Sequence, residues 1–311
     1  MTRDHGGGID AAAARWGGAR SAWLDLSTGI NPVPYRVTVA PDAWTALPDR
    51  AALERLITAA RRFWSVPDSA AVLAAPGASA LIAQMPAALG APARVAIPGP
   101  TYNEHEAAFA AAGWQMGRDP DAMVVVHPNN PDGRLWQAEE LTAPICIIDE
   151  SFCDIVPERS LMAEATRPGT VILKSFGKFW GLAGARLGFA IGDPQILARL
   201  ATALGPWAVS GPALSIGADA LEDAAWAAQT RARLAEDSQR MDALMTARGA
   251  QLAGGTPLFR LYRVEDATQW QDHLARSKVL TRVFPYDPHW LRLGLPAPDR
   301  WDQFEKALSA G

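Results

Sequence analysis

Between two short apolar runs, Thr170 to Leu173 and Leu187 to Ile191, the chain reads KSFGKFWGLAGARLG and sets Ser175, Lys178 and Arg186 at intervals of three and eight residues. A neutral lysine amine condenses with an aldehyde, and a nearby guanidinium disfavours the charged form of that amine. The arginine can also pair bidentately with a phosphate, to which a serine hydroxyl adds another hydrogen bond. Amine, hydroxyl and guanidinium in one segment therefore suit an aldehyde that carries a phosphate, the chemistry of pyridoxal phosphate.

The pool of competing amines is small. Of 29 lysines and arginines only four are lysines: Lys174, Lys178, Lys278 and Lys306. Lys306 lies on the amphipathic pattern WDQFEKAL and Lys278 opens the apolar run VLTRVF, both poor places for covalent chemistry. Lys174 sits at a strand end ahead of the serine. The alternative for Lys178 is an ordinary solvated surface lysine.

Short apolar runs recur at 71–77, 94–99, 123–128, 145–150, 170–175 and 187–192, with helix-length amphipathic or alanine-rich stretches between several of them. Continuous apolar strands with helical spacers predict a mainly parallel sheet covered on both faces. Polar residues or glycine follow nearly every run, on the edge where an open α/β sheet binds its ligands. Beyond about Pro206 the pattern changes to long helical stretches and then to the strands PLFRLYRV, KVLTRVF and WLRLGL, a smaller α+β domain. The expected division is an N-terminal arm or small-domain segment at 1–35, a large domain at 36–205 and a small C-terminal domain at 206–311.

Four further strand ends carry side chains suited to one flat, charged ligand. PGASALI at 76–82 is a glycine turn opening a helix, where the amides of Ala78 and Ser79 and the Ser79 hydroxyl point at an anion. Asp149, in IIDES, ends a buried strand, where an ionised carboxylate needs a positive partner such as a protonated pyridine nitrogen. Asn130, in HPNNPDG, offers a side-chain donor, and Tyr102, in PGPTYNEH, offers a ring for stacking. Taken singly, each has a bland alternative, a helix cap or an Asn-Pro turn.

With these segments in this order the chain resembles the aspartate-aminotransferase superfamily of fold-type I pyridoxal-phosphate enzymes, from DLSTGINP through WLRLGLP, most specifically in SFGKFWGLAGARLG. The resemblance implies an α/β large domain with a mainly parallel seven-stranded sheet, a smaller α+β C-terminal domain and a homodimer. It makes Lys178 the Schiff-base lysine, Asp149 the partner of the pyridine nitrogen, Asn130 the ligand of the ring oxygen and Tyr102 the stacking ring. Ala78, Ser79, Ser175 and Arg186 hold the cofactor phosphate. Many relatives carry tyrosine three residues after the aspartate, where this chain has Phe152. Arg292 in WLRLGL matches the arginine that binds a substrate α-carboxylate, and Asn31 in STGINP matches an asparagine near that carboxylate; an exposed arginine on an alternating strand is the alternative for Arg292.

Within the superfamily, DHGGG at 4–8 followed by DLSTGINP at 25–32 looks most like the threonine-phosphate decarboxylases of cobalamin biosynthesis. The implied reaction converts L-threonine O-3-phosphate to (R)-1-amino-2-propanol phosphate and carbon dioxide. His5 with the amides of Gly6 and Gly7 would then receive the substrate phosphate, since a backbone nest is an anion receptor; a glycine-rich disordered end is the alternative. Histidinol-phosphate or another amino-acid aminotransferase is the second reading, and a non-catalytic pyridoxal-phosphate-binding regulator a third.

Composition agrees with an enzyme of this kind. The net charge of -4 gives no footprint for nucleic acid, and no apolar stretch approaches the roughly 20 residues that span a bilayer. The N-terminus lacks the apolar core of a secretory signal, so the expected location is the cytoplasm. Cys146 and Cys153 read as reduced, structural thiols, and five scattered histidines show no metal-binding spacing.

Overall fold

A computed structural model describes residues 5–310 and divides the chain into two units. The smaller takes the chain up to Pro34, Pro131–Gly133 and everything from Gln229; the larger takes Tyr35–Asn130 and Arg134–Ala228.

The smaller unit begins with α1 (Ile9–Trp16) and β1 (Leu24–Asp25). The larger runs through α2 (Asp42–Thr45), α3 (Arg50–Phe63), β2 (Ala71–Ala75), α4 (Ala78–Leu89), β3 (Arg94–Ala96), α5 (Asn103–Ala111), β4 (Gln115–Met116), β5 (Ala122–Val126), β6 (Ile145–Asp149), β7 (Thr170–Ser175), β8 (Gly188–Gly192), α6 (Pro194–Leu204) and α7 (Gly211–Glu222). Its seven strands form one sheet in the order β2-β8-β7-β6-β5-β3-β4, parallel except that β8 runs antiparallel to both neighbours. β5, AMVVV, is buried at all five positions, as a strand covered on both faces requires. One layer of the core joins Leu81, Ile82 and Met85 of α4 and Phe109 of α5 to Val124, Ile147, Val171 and Ala190 of the sheet. Helix starts are marked by side-chain caps: Asp49 accepts from Ala52 N, and Asp193 accepts from Gln195 N and Ile196 N ahead of Pro194.

α7 lies in the larger unit, not in the small domain to which the sequence pattern assigned it. Gly217 explains the packing: a Cβ there would stand 2.8 Å from Leu56 of α3 and 2.5 Å from Leu187, so its absence lets the helix pack against both. α8 (Ala224–Thr246) carries the chain on into the smaller unit, whose further elements are β9 (Gln251–Thr256), β10 (Phe259–Arg263), α9 (Ala267–Arg276), β11 (Val279–Leu280), β12 (Arg282–Phe284), β13 (Asp287–Gly294) and α10 (Trp301–Ser309). An antiparallel sheet runs β12-β13-β10-β9, and β1 pairs in parallel with β11. The sequence pattern did not reveal β9, QLAGGT, because its two glycines dilute the strand signal.

Both cysteines are buried free thiols. Among the described residues no helix is long and apolar enough to cross a membrane.

Candidate active site

In the larger unit the loops that follow β2, β5, β6 and β7 converge on one pocket. Its lining includes Ala78, Ser79, Tyr102, Asn130, Asp149, Ser175, Lys178 and Arg186, all eight cofactor-site residues expected from the sequence, together with Gly77, Ser151, Phe152 and Gly177. The position follows from topology, since loops at the carboxyl ends of parallel strands share one edge of the sheet.

An anion cradle forms at the start of α4. Gly77, with φ +87° and ψ 154°, turns the chain from β2 into the helix in a conformation open to glycine. A Cβ on Gly77 would meet Arg186 Nη2 at 2.8 Å, and one on Gly188 would meet the Ala78 amide nitrogen at 2.4 Å. The guanidinium thus lies against the turn, and the free amides of the first helical residues face the same pocket. Arg186 itself is left-handed (φ +50°), closing a tight turn in which Ala185 N–H donates to Leu182 O at 3.0 Å. A non-glycine residue held there is a strained one, of the sort found at ligand clamps.

Asp149 is 2 % exposed. Its Oδ2 lies 2.9 Å from His105 Nε2, and its Oδ1 accepts from the amide and the hydroxyl of Ser151. Burial alone would raise its pKa, but the hydrogen bond and charge of His105 and the two bonds from Ser151 outweigh burial and hold the carboxyl below its usual range. The aspartate is therefore an anion at neutral pH, able to face a pyridinium nitrogen. Sequence reading missed His105, which was one of five scattered histidines; the signal available was its place three residues after Tyr102, one turn into α5. Tyr102 and His105 meet edge to face at 6.1 Å. Phe152 is buried, with Lys178 Nζ 5.4 Å from its ring centre, so an aromatic face without a hydroxyl stands beside the amine.

Helix-start amides, two serine hydroxyls and a guanidinium suit a phosphate; a buried anion suits a pyridinium; an amine suits an aldehyde. The donor set fits pyridoxal phosphate.

The smaller unit holds the other expected residues. Arg292 on β13 is 6 % exposed; its Nη2 donates to Ser27 O at 2.8 Å and its guanidinium lies 5.3 Å from the Phe259 ring centre. Burial, then the like charge of Arg282, which stands opposite it in register on β12, lower its pKa to about 10. Arg282 was not singled out from the sequence, because only the antiparallel register brings it beside Arg292. The Gly7 amide donates to Ser27 Oγ at 2.7 Å, and a Cβ on Gly6 would stand 2.3 Å from Ser27 O. The HGG segment is thus laid against the same serine that Arg292 grips. Asp25 fixes that serine by accepting its amide and its hydroxyl. His5, Gly6, Ser27, Thr268, Gln271 and Arg282 line a cavity of about 680 Å³. Asn31 is buried, and its Oδ1 accepts from Arg233 Nη2 at 2.6 Å and from Val33 N.

The fold and the pocket define a pyridoxal-phosphate enzyme of the fold-type I class. The family model of aminotransferase class I and II matches residues 116–309. Over 95 % of its length the chain is 41 % identical to a threonine-phosphate decarboxylase from Sinorhizobium sp, covering 93 % of that protein. It is 39 % identical to the threonine-phosphate decarboxylase of Pseudomonas aeruginosa, with 98 % of this chain and 97 % of that one covered. Among solved structures, the histidinol-phosphate aminotransferase of Sinorhizobium meliloti in complex with pyridoxal-5'-phosphate superposes with a TM-score of 0.80 at 17 % identity, over 97 % of this chain and 93 % of that one, a likeness of fold. The chain belongs to the aminotransferase class I and II family, and it is a pyridoxal-phosphate-dependent enzyme.

Proposed function

We propose that the enzyme decarboxylates L-threonine O-3-phosphate to (R)-1-amino-2-propanol phosphate and carbon dioxide, in cobalamin biosynthesis. The near full-length similarity to two threonine-phosphate decarboxylases supports the reaction. The observation that carries it to this chain's own residues is the shared hold on Ser27, which the HGG segment and Arg292 contact together. A substrate with both a phosphate and an α-carboxylate needs receptors for two anions, and an amino acid without the phosphate needs only one.

In this reading Lys178 would carry the cofactor and yield its place to the substrate amine. Ala78, Ser79, Ser175 and Arg186 hold the cofactor phosphate, Asn130 the ring oxygen, Tyr102 the ring face and Asp149 the ring nitrogen. The bound cofactor supplies an electron sink for the bond broken at the substrate α-carbon. His5, Gly6 and Gly7, with Arg282, hold the substrate phosphate. Arg292 and Asn31 attend the carboxylate. Clamping the phosphate would fix rotation about the substrate's α-carbon and so select the carboxylate bond, in place of the C–H bond, for cleavage. The α-carbon would lose its carboxylate as carbon dioxide and keep the electron pair of that C–C bond, and Lys178 Nζ, as an ammonium, would donate the proton that takes the carboxylate's place. Arg292 must hold the carboxylate without stabilising it more than the departing state.

A homodimer in the cytoplasm completes the reading. Apolar side chains exposed on the larger unit support the dimer: Trp44, Leu47 and Trp207 are each more than 60 % exposed, and Trp207 shares a groove with Leu53 and Pro48.

The test is incubation of the cofactor-loaded protein with L-threonine O-3-phosphate. Equal amounts of carbon dioxide and aminopropanol phosphate, with no 2-oxo acid required, are expected. Amino transfer from histidinol phosphate or glutamate, with no gas released, would overturn the reading.

A further inference from the structure

Side chains alternate along a strand, so Asp149 and Ser175 face the pocket while their neighbours Glu150 and Lys174 turn to the other side of the sheet. There they form a buried ionic cluster that the reaction as derived above does not use. Lys174, 1 % exposed, donates from Nζ to Glu150 Oε2 at 2.6 Å and to Asp154 Oδ1 at 3.4 Å. Asp154 also accepts the indole N–H of Trp64 at 2.9 Å and that of Trp180 at 3.1 Å. Glu150 also accepts the Ser160 hydroxyl and the Leu161 amide. His127 and Cys153 border the group, but His127 is spent on the Trp136 amide and the Arg159 carbonyl.

Two carboxylates and an ammonium out of water are a poor choice for stability alone, since apolar residues of equal volume do as well or better; what such a cluster provides is fixed geometry. The geometry fixed here is that of the pocket wall. Glu150 follows Asp149, and Lys174 precedes Ser175. Trp180, two residues after Lys178, is stacked on Phe176 at 5.2 Å on one side and on Trp226 at 5.2 Å on the other, and its carbonyl accepts the Tyr35 amide. The turn bearing Lys178 is therefore held at both shoulders, and the one polar bond that sets the Trp180 ring goes to Asp154.

We propose that Lys174 is a positioning residue for the reaction: through Glu150 it fixes the end of β6 beside Asp149, and through Asp154 and Trp180 it fixes the turn that carries Lys178. The inference rests on Lys178 being the cofactor-bearing lysine. Burial opposes the charge on Lys174, but Glu150 and then Asp154 outweigh it and keep the ammonium form.

The experiment uses the cofactor-loaded enzyme with Lys174→Met, Asp154→Asn and Trp180→Phe. Trp180→Phe keeps an aromatic ring in the stack and removes the N–H together with part of the indole, so it remains informative where the charge variants fail to fold. The readouts are visible circular dichroism of the bound cofactor, which reports how rigidly it is held, and kcat against KM for L-threonine O-3-phosphate. Trp180→Phe is expected to stay folded with a lowered melting temperature, keep its KM, halve the visible dichroism at a temperature well below melting and lower kcat about tenfold, the scale of a sub-ångström misplacement. Unchanged dichroism and kcat in a folded Trp180→Phe enzyme would overturn the proposal. Lys178→Ala is the control for the underlying reading: if it retains covalently held cofactor, the assignment of Lys178 has failed, independently of the cluster.

Discussion

Arg186 Nη2 packs so closely on Gly77 that a Cβ built there would stand 2.8 Å from it, inside contact distance. The two residues meet at the pocket's anion cradle, one capping α4 and the other closing the lysine-bearing turn. Gly77→Ala should cost about 1–3 kcal/mol in backbone strain at φ +87° and displace the guanidinium as well. The expected result is a folded protein whose affinity for pyridoxal phosphate is down about tenfold or more, measured by equilibrium titration.

Lys178→Ala should leave the fold intact and remove covalent attachment of the cofactor. Borohydride reduction of the wild-type enzyme followed by peptide mass analysis should find the cofactor's mass on the peptide containing Lys178, and none on any peptide of the variant. Label on Lys174 instead would sink the assignment.

Asp149 makes a pH-dependent contribution to stability whose sign follows from its depressed pKa. A carboxyl with a lower pKa folded than unfolded contributes stability fully above its ordinary value of about 4, and loses it as pH falls through the lower folded value. Unfolding of wild type and Asp149→Asn in urea should therefore differ by a constant amount above about pH 5 and converge below about pH 4. The same variant should bind cofactor and turn over about a hundredfold more slowly or worse, having lost the anion proposed to face the ring nitrogen.

Arg292, lowered to about 10, should lose its proton within reach of kinetic measurement. In the proposed reading the substrate carboxylate needs the guanidinium charged, so kcat/KM is expected to fall as pH rises past about 10. Relieving the like charge by Arg282→Gln should move that fall to higher pH. Arg292→Lys keeps a charge but not the planar fork, and should raise KM about tenfold or more.

Much of the larger unit's site could be read from the chain, because anchoring a phosphorylated aldehyde demands particular residue types at close spacing: Ser175, Lys178 and Arg186 in one loop, Ala78 and Ser79 after a glycine, Asp149 ending an apolar run. The parallel sheet was legible for a similar reason, since continuous apolar strands such as AMVVV and TVILKS need cover on both faces. Other features were decided by tertiary structure. His105 becomes the partner of Asp149 only when β6 and α5 bring together residues 44 apart. Arg282 reaches Arg292 by antiparallel register, and the HGG segment finds Ser27 from 20 residues away. Lys174 looked like a weaker candidate for the same chemistry as Lys178, but alternation along β7 turns it away from the pocket into its own ionic cluster. Local sequence determined which groups the chemistry requires, because type and spacing act within one loop. Which groups hold them in place was settled by strand pairing and helix packing, whose contacts carry no signature in a short stretch of chain.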